Sequence, residues 1–156
     1  MILDQYSNLV IGLAIDVHRM YGPGMLESAY EDILCIELAE AGIPFIRQVS
    51  ISTTHKGHTI PSTYRADIMV GNDLILELKA VEKFDLSHDA QMITYLRLSG
   101  RRFGLLFNFN VLRLKDVIGA KPRALPHFSL APIRRRGLSA SCAACTRPFR
   151  VEPSRA

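Results

Sequence analysis

Over residues 1–119 the sequence predicts an α/β domain, a mixed central β-sheet flanked by helices in the order ααβββαββ, followed by a basic Pro/Arg-rich flexible tail over 120–156. Three observations predict it. Apolar residues recur at helical spacing before Gly42. The spacing then switches to period 2 between Phe45 and Val81, with turn residues between the runs. A helix-length segment separates Val81 from the apolar run Phe103-Gly104-Leu105-Leu106-Phe107-Asn108-Phe109, and two parallel strands need such a crossover. Helices and strands in this succession make a sheet with helices packed on it.

The first helix spans Asp4 to Tyr21. Val10, Leu13, Ala14, Val17, Met20 and Tyr21 share one face of it. His18 and Arg19 lie near its C-terminus, where positive charge suits the helix dipole, and His18 reads as structural. The chain breaks at Gly22-Pro23-Gly24. A second helix runs from about Met25 to Ala41 and stops at Gly42, with Pro44 beyond. At about 100° per residue, Tyr30, Leu34, Leu38 and Ala41 lie within about 60° of Glu27, which places Glu27 at the edge of the buried stripe. Glu37 falls in the same arc. The angle therefore leaves Glu27 two roles, capping its own helix through the dipole or facing a site.

Phe45 to Ser52 reads as a strand and Lys56-Gly57-His58 as a turn, after which the chain re-enters the sheet through Thr59-Ile60 or Tyr64. His55 and His58, at a polar hairpin tip, read as solvated loop residues rather than metal ligands. Tyr64 to Val70 is the next strand and Gly71-Asn72-Asp73 a tight turn. From Asp73 to Val81 the alternation is strict. Leu74, Leu76 and Leu78 point one way; Ile75, Glu77, Lys79 and Val81 point the other. Glu77 and Lys79 thus share a face, about 7 Å apart along the strand. Charges in so apolar a strand are costly to bury unless they pair, hold an ion or do chemistry. With a three-residue turn, Asp67 falls directly opposite Glu77. A two-residue turn would put it on the wrong side, because a one-residue slip flips a strand. Two carboxylates on adjacent strands, with a lysine one step on, can hold a hard divalent cation and position a water.

After this hairpin Ser87 reads as an N-cap with Asp89 in the first turn, and the helix stops at Gly100. His88, Gln91 and Tyr95 fall on one face of it. Facing a carboxylate site, Gln91 and Tyr95 could hold a phosphate and a base or sugar; otherwise they are a surface Gln and a half-buried Tyr. Phe103 to Phe109 suits a strand covered on both faces. Leu112 to Val117 reads as a short edge strand, with Lys115 discouraging further pairing.

Asp67 followed by Glu77-Leu78-Lys79 resembles the D…(D/E)-x-K core of the PD-(D/E)XK nuclease superfamily. Gly24-Met25-Leu26-Glu27-Ser28-Ala29-Tyr30 is similar to the G-x-x-E-x-x-Y signature of one family within it. Gln91-Met92-Ile93-Thr94-Tyr95 is similar to the Q-x-x-x-Y element of RecB-like members. Ile15-Asp16-Val17-His18 and Arg65-Ala66-Asp67 fit as well, with Ala66 where the superfamily's name-giving Pro would stand. The resemblance implies a restriction-endonuclease-like core and a metal-dependent nuclease acting on nucleic acid, DNA more than RNA. It implies that Asp67 and Glu77, with Glu27 as a third acid, bind Mg²⁺ or Mn²⁺. Lys79 would act on the attacking water, Gln91 and Tyr95 would position substrate, and Tyr30 would orient the site from the core.

Charge divides the chain. Residues 121–156 carry eight basic residues against Glu152 alone, net +7, whereas residues 1–120 carry eleven basic and fourteen acidic groups, net −3. The basic balance that would ordinarily suggest nucleic acid belongs to the tail, as a basic arm or a solvated extension. Cys35, in a helical pattern, reads as a small buried hydrophobe. Cys142 and Cys145 form one C-x-x-C with only His127 near, short of zinc's four ligands, so two reduced thiols are expected. No run of about 18 apolar residues is present, so no membrane span is expected. With Asp4 and no basic segment before Leu9, a signal peptide is not expected and a cytoplasmic location follows. Two rival readings stand beside the nuclease. One is a non-catalytic nucleic-acid or protein-binding module that retains the fold, with Phe107-Asn108-Phe109 serving a protein partner. The other makes Glu77 and Lys79 a structural ion pair.

Overall fold

The computed structural model of the chain describes residues 6–114 and, through their backbone, 118–122. The rest of the expected tail, Cys142 and Cys145 included, lies outside the described residues. The elements are α1 (Ser7–Tyr21), α2 (Glu27–Glu40), β1 (Phe45–His55), β2 (His58–Val70), β3 (Leu74–Lys79), α3 (Leu86–Ser99), β4 (Phe103–Asn108) and β5 (Ile118–Pro122). This is the expected ααβββαββ order.

The strands form one mixed sheet in the order β1-β2-β3-β4-β5. Neighbours are antiparallel except β3 and β4, which run parallel across the α3 crossover. The alternation of β3 sorts its residues between two apolar layers. Leu74, Leu76 and Leu78 pack with Ile68, Val70, Leu105 and Phe107 against α1 and α2. Ile75 packs with Met69 against Met92, Tyr95 and Leu96 of α3. α3 approaches closely at Gly104 of β4, where an added Cβ would stand 2.3 Å from Met92 Sδ. β3 is thereby buried on both faces, as expected for a strand at the centre of a helix-flanked sheet.

Several local expectations change. The N-cap of α3 is Asp85, not Ser87. Asp85 Oδ1 accepts from the Ser87 and His88 N–H groups at 2.7 and 3.3 Å, and His88 Nδ1 accepts from the Asp85 N–H at 3.0 Å. Ser87 lies inside the helix and donates its hydroxyl as well as its N–H to Asp85 Oδ1, and His88 is used in the cap. The first hairpin is longer than expected, because its β-branched threonines suit extended backbone as well as loop. No strand forms over 111–114. Leu112 is 91% exposed while Leu114 is buried in the core; residues 115–117 of the expected strand lie outside the described residues, and β5 starts at Ile118, running across the expected boundary at 119. His18 Nε2 donates to the Val111 carbonyl at 2.8 Å, a structural role. Phe107 and Phe109 are fully buried, Phe109 stacked on Tyr30 at 4.3 Å, so the expectation that they serve a partner is overturned. Among the described residues no helix is long and apolar enough to cross a membrane.

Candidate active site

The site grows from a turn. Val70 pairs with Leu74, so the β2–β3 turn has three residues, Gly71-Asn72-Asp73. Gly71 takes φ +54°, and an added Cβ would meet the Tyr6 ring at 2.9 Å. The turn is held from three sides. Gly71 N–H donates to the Pro44 carbonyl at 2.9 Å, Arg101 donates to the Asn72 carbonyl, and Arg102 pairs with Asp73 at 2.8 Å. The register continues through Met69↔Ile75 and Ile68↔Leu76, and its next step sets Asp67 opposite Glu77.

At that level the regular ladder stops. Asp67 Oδ2 accepts the Leu78 N–H at 2.8 Å, a side chain standing where a backbone acceptor would be. On the other side of β2, Arg47 pairs with Ile68 and Val49 with Ala66, but Gln48, at φ +50°, is skipped. Asp67 therefore sits where neither neighbour is paired with it, although the register with β1 is the same on both sides of it. Burial pushes its pKa up, partly opposed by the Leu78 hydrogen bond and the Lys79 charge.

Glu77 is 2% exposed. Its Oε1 accepts from Lys79 Nζ at 2.7 Å, while its buried Oε2 has no hydrogen-bond partner. Burial, then the charge of Asp67, pushes its pKa to about 7, with Lys79 and, more weakly, the Asp67 backbone N–H pulling the other way. Burial works against the Lys79 charge, but the hydrogen bond and charge of Glu77 outweigh it and hold Lys79 above the ordinary lysine value.

Glu27 arrives from the first turn of α2. The Tyr30 hydroxyl donates to the Gly22 carbonyl at 2.5 Å and accepts from the Met25 N–H at 3.3 Å, which pins the Gly22-Pro23-Gly24 loop. Gly22 and Gly24 stand at φ +68° and +107°, where a Cβ is disfavoured. Glu27 Oε1 then accepts the Ala80 N–H at 2.8 Å, just past the end of β3. It reaches the sheet rather than capping its own helix, and its charge is felt at Asp67 and Lys79. On α3, Gln91 Nε2 donates to the Tyr95 hydroxyl at 2.6 Å, and that hydroxyl donates to the Arg65 carbonyl at 3.1 Å. Tyr95 is buried. Desolvation first, then the Glu77 charge, raises its pKa. His55 and His58 pair across the exposed hairpin tip, away from any ligand set.

Two residues at this end have roles that the sequence reading misses, Glu31 altogether and Asn108 because it falls in the segment read as partner-binding. Glu31 is 6% exposed and accepts from Arg47 Nε at 3.0 Å and Gln48 Nε2 at 2.7 Å; its charge also raises Asp67. It lies about 40° from Glu27 around the helix, inside the buried arc, and that angle was the available signal. Asn108, fully buried at the end of β4 opposite Lys79, clasps Val81 through its N–H and carbonyl at 3.2 and 2.7 Å. One polar residue in the apolar run marked it.

Among the described residues no three His, Cys, Asp or Glu side chains stand close enough together to hold a metal ion, so Glu27, occupied by the Ala80 N–H, does not join Asp67 and Glu77 as the expected third acid in this arrangement. The oxygens of Asp67 and Glu77 nonetheless fit a hard cation. Glu77 Oε2 is buried without a hydrogen-bond partner, and burial raises the pKa of both carboxyls. Mg²⁺ commonly binds through one or two carboxylates, with water and phosphate oxygens completing the shell.

A mixed sheet whose central hairpin carries Asp67, Glu77 and Lys79 defines a nuclease-like α/β domain. The family model of the PD-(D/E)XK nuclease superfamily matches residues 4–119. The chain belongs to that superfamily. No curated protein matches the sequence. Among solved structures, an alkaline exonuclease from Laribacter hongkongensis is similar over 78% of this chain and 72% of that one, with 14% identity and a TM-score of 0.42.

Proposed function

We propose that the chain is a metal-dependent nuclease that hydrolyses phosphodiester bonds of nucleic acid, DNA in preference to RNA, and a GxxExxY-type member of its superfamily. One observation carries this reading. A buried glutamate that feels the charge of a second carboxylate, Asp67, has one oxygen bound by lysine and the other buried without a hydrogen-bond partner. A fold built for stability alone would satisfy or omit that oxygen.

Asp67 and Glu77 would hold Mg²⁺ or Mn²⁺. The bound ion supplies a Lewis acid for the phosphoryl oxygen and lowers the pKa of its water. Lys79, kept protonated by Glu77, donates to the water or phosphate and balances the charge that builds up during displacement. It becomes a base only when Glu77 is engaged elsewhere. Gln91 and Tyr95 line the wall beside the carboxylates and position the substrate. Tyr30 and Asn108 fix the two chain segments from which Glu27 and Lys79 project.

The test is cleavage of single- and double-stranded DNA, with RNA alongside, in Mg²⁺ or Mn²⁺ against EDTA, wild type beside Lys79→Ala. Cutting that needs metal and disappears in the variant is expected. Cutting that survives in the variant defeats the assignment. The direct 2.7 Å contact of Lys79 with Glu77 also favours a second reading, a structural ion pair in a fold kept for binding. On that reading wild type binds nucleic acid without cutting it, and Lys79→Ala chiefly lowers the melting temperature.

A further inference from the structure

We infer that the outer part of the β1–β2 hairpin is a nucleic-acid arm that tracks the phosphate backbone of the substrate away from the cleavage point. The inference rests on the nuclease reading and names how that site holds a long substrate. β2 has thirteen residues and β3 six. β3 pairs with β2 only over Ile68–Val70, so the ribbon from Asp67 outward is paired with β1 alone. Residues His58 to Arg65 are exposed one after another.

The composition of this ribbon differs from the rest. Residues 48–66 contain no Asp or Glu, whereas the remainder of residues 6–114 carries twelve. Lys56 stands at the tip, Arg65 at the base, and the hydroxyls of Thr53, Thr54, Thr59 and Thr63 lie between. Cations and hydroxyls without carboxylates complement a phosphate chain. The large apolar side chains exposed on β2 here are Ile60 and Tyr64, with Pro61 between them, too few for a protein-docking patch.

The arm is anchored to the site and bent. Tyr64 packs edge-on against Tyr95, whose hydroxyl holds the Arg65 carbonyl. Farther out the pairing jumps from Ile51↔Tyr64 to Thr53↔Ile60, so Ser52 alone faces Pro61-Ser62-Thr63, with Ser62 at φ +51°. A bulge of this kind bends a ribbon and re-aims its tip. From Gln48, level with Asp67, to His55 the strand reaches about 23 Å at the usual rise. At about 3.4 Å per phosphate along one strand, that spans about seven nucleotides.

The experiment measures binding of the full chain in EDTA to fluorescently labelled DNA of 6 and of 25 nucleotides, the latter single-stranded and duplex, across a salt series. Lys56→Glu and Thr59→Glu are compared with Arg19→Glu, a charge reversal on α1, and all are checked for unchanged thermal unfolding. We expect each hairpin variant to weaken binding of the long DNA about 3- to 10-fold, and Lys56→Glu to flatten the salt slope by about 1. Binding of the 6-nucleotide DNA and the behaviour of Arg19→Glu should stay at wild type. Hairpin variants that bind long DNA as wild type does, or that lose short and long DNA alike, overturn the arm. So does a wild type that binds no DNA. Cleavage assays on the same proteins separate the two ideas. Cutting with no hairpin dependence sinks the arm and leaves the nuclease; hairpin-dependent binding without cutting sinks the nuclease and leaves the arm.

Discussion

Strand β2 belongs to two hairpins, and they are built to different standards. The inner one, with β3, has a three-residue turn held by Pro44, Arg101 and Arg102 and pairs without a shift over Ile68–Val70, up to the level of Asp67. The outer one, with β1, carries a bulge, a positive-φ serine and a largely exposed surface. The difference follows from burial. β3 must send leucines to one layer and Ile75 to the other, so a slip of one residue would expose the core and bury charge. Nothing comparable fixes the outer ribbon. A site that needs two carboxylates and a lysine in fixed relation sits on the inner hairpin, and the looser outer one is free for contact with a long, irregular partner.

The sharpest way to break this contrast is to change each hairpin by one residue. Deleting Asn72 shortens the inner turn and removes the register that faces Asp67 toward Glu77. Cleavage should fall at least about 10³-fold, with a large loss of melting temperature. Adding a glycine after Gly57 at the outer tip should cost under about 0.5 kcal/mol and leave cleavage of a six-nucleotide substrate unchanged. Equal damage from both changes would mean that the hairpins fold as one rigid unit.

The second test uses pH. The folded pKa of Glu77, about 7, lies above its ordinary 4.5. A raised folded pKa gives stability that is complete below the unfolded pKa and lost as pH rises through the folded one. In EDTA the protein should therefore lose stability between about pH 4.5 and 8, by up to about 3 kcal/mol from this group. Glu77→Gln removes the slope, so it should melt above wild type at pH 8 and beside it near pH 4.5. Mg²⁺ should flatten the wild-type curve and leave the variant's alone. Chemical denaturation at four pH values, with and without Mg²⁺, reads all of this. A variant less stable than wild type at pH 8 would show that Glu77 is needed structurally as an anion.

The inner hairpin is also the part that could be read from the sequence. Leu74, Leu76 and Leu78 against Ile75, Glu77 and Lys79 give β3, its faces and its burial from spacing alone, and the demand that Asp67 face Glu77 gives the turn length. The outer hairpin was legible only in part, since Thr53 to Thr63 suit strand and loop about equally and the bulge has no periodicity to betray it. Polar roles failed where the partner is far along the chain. Glu31 meets Arg47 and Gln48, and Asn108 meets Val81, through tertiary packing that no local pattern records. Asp85 is the cap rather than Ser87, which donates both its N–H and its hydroxyl to the Asp85 carboxylate; two residues of capping type within three positions left the start of the helix ambiguous in the sequence.

A smaller effect separates the layers around the same contrast. Gly104→Ala puts a Cβ against Met92 Sδ, and the methionine can yield only in part beneath α3; a cost of about 1–3 kcal/mol is expected. Gly57→Ala meets no atom within 4 Å and costs only its φ of +81°, about 1 kcal/mol. Urea midpoints for the two variants give the comparison directly, and a Gly57 variant as damaged as the Gly104 one would show the tip to be packed.

The smallest expected effect lies where the hairpins meet. Tyr95→Phe keeps the ring against Tyr64 and deletes the hydroxyl that binds the Arg65 carbonyl and receives Gln91. Losing these bonds should cost about 1 kcal/mol of stability. Arg65 stands two residues before Asp67 and at the foot of the outer ribbon, so a loosened Arg65 carbonyl can disturb either neighbour. If Tyr95 aligns the ribbon with the site, KM for a 25-nucleotide substrate should rise about 3-fold while kcat stays within about 2-fold. If its hydroxyl instead touches the reacting phosphate, kcat itself should fall by about 10² on short and long DNA alike. The first pattern keeps the two hairpins distinct, one for chemistry and one for reach, with Tyr95 as the joint. The second moves Tyr95 wholly into the inner site and leaves the ribbon aligned by its bulge alone.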